Sequence, residues 1–191
     1  LKYLKLSSLV QKNPNLQKDL DIDWCKKFKS FGSFGETFYM FMGGANTITP
    51  LHNEFPTTIY IQVQGQKKWI LYDVSDRIFL DVVTERRPYF HSNFDPLNPN
   101  FQAFPFAKNA KKIEVILEPG DILIVPPFVW HYVQNLTDSI GVAYKFSNLQ
   151  KGFQSSFMLN TLLLLSTKPF LLFSFFATRI KKDDYLLSKK S

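Results

Sequence analysis

From Glu36 to Phe146 the chain is written in short runs of β-branched and aromatic residues separated by turn residues. The runs are Thr37 to Met42, Thr57 to Val63, Lys68 to Tyr72, Lys112 to Leu117, Asp121 to Val125, His131 to Gln134 and Ser139 to Phe146. Apolar positions in them recur at a period of two or fill the run, and no long helical period intervenes, so they predict strands. Seven strands without helices between them describe a sandwich or a small barrel.

The punctuation supports this reading. Gln64-Gly65-Gln66 lies between two runs and predicts a hairpin. Glu118-Pro119-Gly120-Asp121 predicts a turn, and Pro126-Pro127 ends the strand after it because proline has no N–H to give to a ladder. Residues 73–111 hold Pro88, Pro96, Pro99 and Pro105 among many Asn and Phe, and predict a long excursion over the barrel. Before Glu36 the pattern is peripheral in character, with a short amphipathic helix expected within Asp19 to Lys29. At the other end, Ser156 to Ala177 is strongly apolar, but Lys168-Pro169 divides it into pieces shorter than the roughly 20 residues of a membrane span. Packed or homodimer-forming helices are therefore expected there rather than a membrane segment.

Composition adds bounds. A chain of 191 residues, 45% hydrophobic and 16% aromatic, has material for one domain with a substantial core. It starts at Leu1 rather than Met, as a fragment would, and shows no charged-then-apolar leader. One cysteine, Cys25, excludes an internal disulfide and points to a reducing, intracellular setting, cytoplasmic or nuclear; its expected role is that of a small apolar side chain. The net charge of +7, with lysines dense at both ends, suits acidic partners, nucleic acid or simply a solvated surface.

The candidate chemistry lies in His52-Asn53-Glu54 and His131. Along a strand, residues two apart share a face, so His52 and Glu54 can bind one ion while Asn53 points away. A second imidazole follows the loop Pro126-Pro127-Phe128-Val129-Trp130. Two histidines and one carboxylate on one side of a divalent metal, with the opposite side open, is the donor set of non-haem Fe(II) oxygenases. The remaining histidine, His91, sits in the excursion and is expected to have a surface or packing role. A keto diacid chelating such a metal needs a cation for its far carboxylate, and Lys67 or Lys68 could supply it; alternation does not choose between them.

Thr47 to Glu54, Ile61 to Trp69, Glu118 to Asp121 and Trp130-His131 together resemble the JmjC/cupin-8 family of 2-oxoglutarate oxygenases, and are particularly similar to the branch containing the asparaginyl hydroxylase of hypoxia-inducible factor. Ser92 to Asp95 and Asn98 to Phe101 resemble that family's insert, and the resemblance covers roughly residues 36–147. It implies a double-stranded β-helix, the cupin jelly roll, over residues 36–150, with a peripheral segment at 1–35 and a helical extension at 151–191. It implies that His52, Glu54 and His131 hold Fe(II), that Lys67 rather than Lys68 meets the far carboxylate of 2-oxoglutarate, and that Thr49 touches the same carboxylate. Tyr39, Thr58 and Tyr60 fall at pocket-lining positions. Two departures stand out: the hydroxylase branch usually has Asp where Glu54 stands, and Lys145 lies near a position where that branch often has Asn. The role of Lys145 stays open at this point.

The implied activity consumes O2 and 2-oxoglutarate, releases succinate and CO2, and hydroxylates a protein side chain; methyl-lysine demethylation and RNA-base hydroxylation are the family's other outcomes. A ribosomal or chromatin protein is the expected partner class. Outside this class stand a cupin that binds metal without oxidising anything and a scaffold whose site has decayed.

Overall fold

The computed structural model describes residues 3–83 and 89–166. In chain order its elements are β1 (Tyr3–Ser7), α1 (Leu9–Lys12), α2 (Pro14–Lys18), α3 (Ile22–Lys26), β2 (Phe34–Gly43), β3 (Ile48–Glu54), β4 (Thr57–Gln64), β5 (Lys67–Tyr72), β6 (Val82–Val83), β7 (Tyr89–Ser92), β8 (Ile113–Leu117), β9 (Ile122–Val125), β10 (Trp130–Asn135), β11 (Ser139–Ser147), α4 (Leu149–Ser155) and α5 (Phe157–Ser166). All seven expected runs are strands. An eighth core strand, β3, carries His52 and Glu54; Pro50 and its polar residues keep it from reading as a β-branched run.

The strands form two antiparallel sheets, ordered β1-β2-β11-β4-β9 and β6-β7-β3-β10-β5-β8. The core four of each are β2-β11-β4-β9 and β3-β10-β5-β8. Passing along the chain, β2 to β3, β3 to β4, β4 to β5, β8 to β9 and β10 to β11 each cross from one sheet to the other. Two four-stranded sheets joined this way make the eight-stranded jelly roll.

That topology corrects one expectation. Gln64-Gly65-Gln66 is not a hairpin turn, because β4 pairs with β11 and β9 whereas β5 pairs with β10 and β8. It is a tight corner between the sheets. Alternation reports which face of a strand is buried, not which strand lies beside it, so hairpin and corner look alike in sequence.

Each sheet is apolar on both faces. On the outer side of the first, Phe38, Ile59, Val142, Tyr144 and Phe146 pack with Val10 and Cys25, which are buried. The first 35 residues are thus not peripheral in packing: β1 extends the sheet past β2, and the short helices cover it. An N-cap fixes one of them, with the Asp21 side chain accepting from the Trp24 N–H at 2.9 Å. Burial, then the charge of Asp21, pushes the Cys25 thiol up, consistent with an inert packing residue.

The outer side of the second sheet, with Ile70, Tyr72, Trp130 and Tyr132, is covered from the excursion by Leu80, Phe90, Phe94 and Ala107, and by Leu159 of α5. The excursion also pairs β7 against β3, setting His91 opposite His52 and Tyr89 opposite Glu54. Residues 73–111 are therefore in large part a wall of the fold rather than a loop over it; their Phe and Leu side chains anchor a backbone whose Asn and Pro content reads as turn. Among the described residues no helix is long and apolar enough to cross a membrane. Lys168-Pro169 and the rest of the expected dimer-forming stretch lie outside the described residues.

Candidate metal centre

Between the sheets lies a cavity of about 410 Å³ including its mouth. The second sheet contributes Thr49, His52, Glu54, Lys67, Trp69, His131 and Val133, and the first contributes Phe41, Thr58, Tyr60, Ala143 and Lys145. His52 on β3 and His131 on β10 are directly opposed in the ladder, with ring centroids 4.2 Å apart. Glu54 follows on the same face, its Oε1 3.8 Å from His52 Nε2. The loop before β10 is tied to this strand: Phe128 takes a left-handed conformation at φ 63°, and its N–H donates to the Glu54 carbonyl at 2.8 Å. Pro126 and Pro127 force that tight entry, which sets His131 beside the other two.

Both imidazoles are oriented by local backbone. His52 Nδ1 lies 2.8 Å from the Pro50 carbonyl oxygen, and His131 Nδ1 lies 3.0 Å from that of Val129. A carbonyl oxygen can only accept, so each Nδ1 carries the proton and each Nε2 keeps its lone pair for a metal. Burial, then the neighbouring His52, pushes the His131 pKa down to about 3, so this ring is neutral across the physiological range.

Glu54 behaves differently. Burial would raise its pKa, but the Lys145 ammonium, followed by His52 and His131, outweighs this and holds it well below the usual carboxylate range. Lys145 Nζ, reaching across from the first sheet, donates to Glu54 Oε2. Among the described residues no three His, Cys, Asp or Glu side chains stand as a closed cluster around an ion position. The donor chemistry nonetheless suits a divalent cation: two neutral imidazoles with fixed tautomers, and an ionised carboxylate whose second oxygen is now held by an ammonium.

Thr49 enters the cavity through an irregularity. Counting in twos from Glu54 places it on the far face, but between His131↔His52 and Val133↔Thr49 the register shifts by one residue. This bulge, with Pro50 in it, turns Thr49 to the side of His52 and Glu54. Family resemblance points to Thr49, and the bulge is the physical reason that it reaches the cavity.

Between Lys67 and Lys68 alternation does not choose, but burial does. Lys67 is 1% exposed and its Nζ donates to Tyr60 Oη, whereas Lys68 pairs with Glu114 at 2.8 Å on the outside. No carboxylate pairs with Lys67 among the described residues, and burial lowers its pKa to about 8. Of the other expected pocket residues, Thr58 and Tyr60 line the cavity, while Tyr39 does not; its ring lies 6.0 Å from Lys145 Nζ. His91 is in register with His52 but outside the cavity. Trp69 and Val133 are legible by counting two from Lys67 and His131. Phe41, Ala143 and Lys145 come from the opposite sheet, which no local pattern reveals.

Gly141 shows how closely the two sheets' side chains are fitted. A Cβ there would collide with the Tyr60 ring at its hydroxyl end. Gly141→Ala is expected to cost about 1 to 3 kcal/mol of stability as Tyr60 is displaced from Lys67, measurable by urea unfolding.

Comparison with known proteins agrees with this architecture. Residues 2–152 match the cupin-like domain family. The chain is 33% identical over 147 residues to lysine-specific demethylase JMJ30 of Arabidopsis thaliana, covering 76% of this chain and 34% of that protein. It is 29% identical over 150 residues to JmjC domain-containing protein D of Dictyostelium discoideum, covering 73% and 34%. To human HSPB1-associated protein 1 it is 32% identical over 121 residues, covering 61% and 24%. It thus spans about a quarter to a third of the length of these relatives. With eight core strands crossing between two sheets and a matched stretch that takes in every one of them, the chain belongs to the cupin-like domain family, among relatives that carry JmjC domains.

Proposed function

We propose that this chain is an Fe(II)- and 2-oxoglutarate-dependent oxygenase domain. The observation that carries the reading is a single cavity holding His52, Glu54 and His131 together with a buried ammonium, Lys67, that has no carboxylate partner among the described residues. A buried cation without a counter-ion is costly, and a diacid bound in the cavity would supply one. In this reading His52, Glu54 and His131 hold the metal through two Nε2 atoms and a carboxylate oxygen. Lys67 meets the far carboxylate of 2-oxoglutarate, with the Tyr60 and Thr49 hydroxyls beside it. When bound, the metal and 2-oxoglutarate would supply the O2 chemistry, releasing succinate and CO2. The protein's part is to position the reactants, fix the two imidazole tautomers and, through Trp69, Val133, Phe41 and Ala143, keep water away.

For the substrate we propose a protein side chain. Two outcomes are open to one oxidation: a stable hydroxyl on carbon, or hydroxylation of an N-methyl group followed by loss of formaldehyde. The names of relatives, which include lysine-specific demethylases, favour keeping the second beside the first. The test is O2-dependent conversion of 2-oxoglutarate to succinate by the iron-loaded chain in the presence of histone and ribosomal protein extracts. Mass gain of one oxygen would mark hydroxylation, and formaldehyde release demethylation. Metal and 2-oxoglutarate binding without any turnover would sink the oxygenase reading in favour of a non-oxidising cupin.

A further inference from the structure

We propose that Lys145 is a built-in competitor for the metal, so that loading this site exchanges one cation for another. The inference rests on the metal-site reading above. Lys145 is 8% exposed and comes from β11 of the opposite sheet, yet its ammonium ends on Glu54 Oε2. Its ladder neighbours, Thr37 and Thr58, bring no charge. Among the described residues Glu54 is its one carboxylate partner, and the Tyr39 ring, 6.0 Å away, stands at the outer limit of cation–π attraction.

Two lysines therefore enter one cavity with opposite situations. Lys67 meets a phenol and is left for an outside anion; Lys145 is already spent on a metal-ligand candidate. Without Lys145, the empty cavity would hold the Glu54 carboxylate buried and uncompensated. With it, the metal-free fold is neutralised from within. An incoming divalent ion must take Glu54 from the ammonium, and afterwards the two positive charges remain close together in a poorly solvated space. Both effects lower metal affinity. The site would accordingly load and unload with the ambient metal concentration instead of holding its ion permanently.

The experiment is calorimetric titration of the 191-residue chain with Mn(II), a redox-stable probe, against Lys145→Gln, Lys145→Met, Lys145→Arg and His131→Ala. The neutral variants are expected to bind on the order of ten- to a hundredfold more tightly than the parent, the range over which groups touching a metal ligand change affinity. Lys145→Arg should stay near the parent or bind more weakly. Equal or weaker binding by folded Lys145→Gln and Lys145→Met overturns the proposal. If the parent binds and His131→Ala does not, the metal-site reading stands whatever the lysine variants do. If neither parent nor neutral variant binds, both readings fall; if a neutral variant alone binds, the competition is upheld. Should neither neutral variant fold, amine labelling of the parent decides: Lys145 should become more reactive when Mn(II) is added, and unchanged labelling overturns the proposal.

Discussion

Lys67→Ala is expected to weaken 2-oxoglutarate binding by roughly ten- to a hundredfold, the equivalent of the about 1.5 to 3 kcal/mol that a charge-assisted hydrogen bond supplies. Lys67→Met, which keeps the volume, should do the same without unfolding the protein, because it removes a buried ammonium that has only a phenol for a partner. The pH dependence gives an independent readout. Burial lowers the Lys67 pKa to about 8 in the free protein, and only the protonated form can pair with a carboxylate. Affinity should be level below pH 8 and then fall about tenfold per unit, so that the dissociation constant at pH 9 is roughly ten times that at pH 7. The stability of the free protein moves the other way. The unfolded lysine keeps its proton up to about 10.5, so the unfolded state binds more protons between the two values, and the Lys67 contribution rises with pH across that window. Binding to Lys67→Met should lack the break near pH 8. A parent-like titration by either variant would remove Lys67 from the site.

How much of this is readable from the chain alone depends on the range of the interaction. Strand positions are legible because alternation and proline punctuation are local: Ile122 to Val125 ends where Pro126 begins, and β9 does the same. The His52, Glu54 and His131 grouping is legible because spacing of two and a proline-led loop are also local. Three things are not. Sheet membership depends on which strand lies alongside, so the Gly65 corner reads as a hairpin. The place of Thr49 depends on a register shift opposite Tyr132, which breaks the count of two. Lys145 lies 91 residues from Glu54 in the chain and meets it across the cavity from the other sheet, so its partner cannot be deduced from its own run. The excursion reads as a loop for a related reason. Turn-forming residues describe its backbone, while its burial comes from Leu80, Phe90 and Phe94 against Trp130 and Ile70 on distant strands.

The corner at Gly65 carries the second large expected effect. Gly65→Ala should destabilise the fold by about 2 to 5 kcal/mol, combining the roughly 1 to 2 kcal/mol cost of a left-handed residue with a Cβ and the about 1 to 3 kcal/mol of overpacking. The conformation is left-handed, at φ 71°, and a Cβ built there falls inside the contact distance of the Asp138 carbonyl oxygen and 2.7 Å from Thr137 Oγ1. Neither neighbour can yield easily. Thr137 Oγ1 accepts from the Gln66 N–H at 2.9 Å, and the Leu136 N–H donates to the Gln66 carbonyl at 2.9 Å, so the β10–β11 corner is bonded to the β4–β5 corner. Underneath, the Gln62 amide, with no exposed surface, donates to the carbonyls of Gln64 and Gly65 and to Ser139 Oγ at 2.7, 2.9 and 2.8 Å. Both corners therefore move together or not at all. Lys67 stands two residues past the glycine and pairs in the ladder with Asn135, just before the second corner. Any outward shift that accommodates the new methyl group pulls the first residue of β5 away from Tyr60. Where Gly65→Ala remains folded, as at low temperature, it should thus bind 2-oxoglutarate more weakly than the parent although it alters no group in the cavity. Urea unfolding measures the first effect and a binding titration the second; a variant as stable as the parent would mean that this corner is not the rigid joint between the sheets.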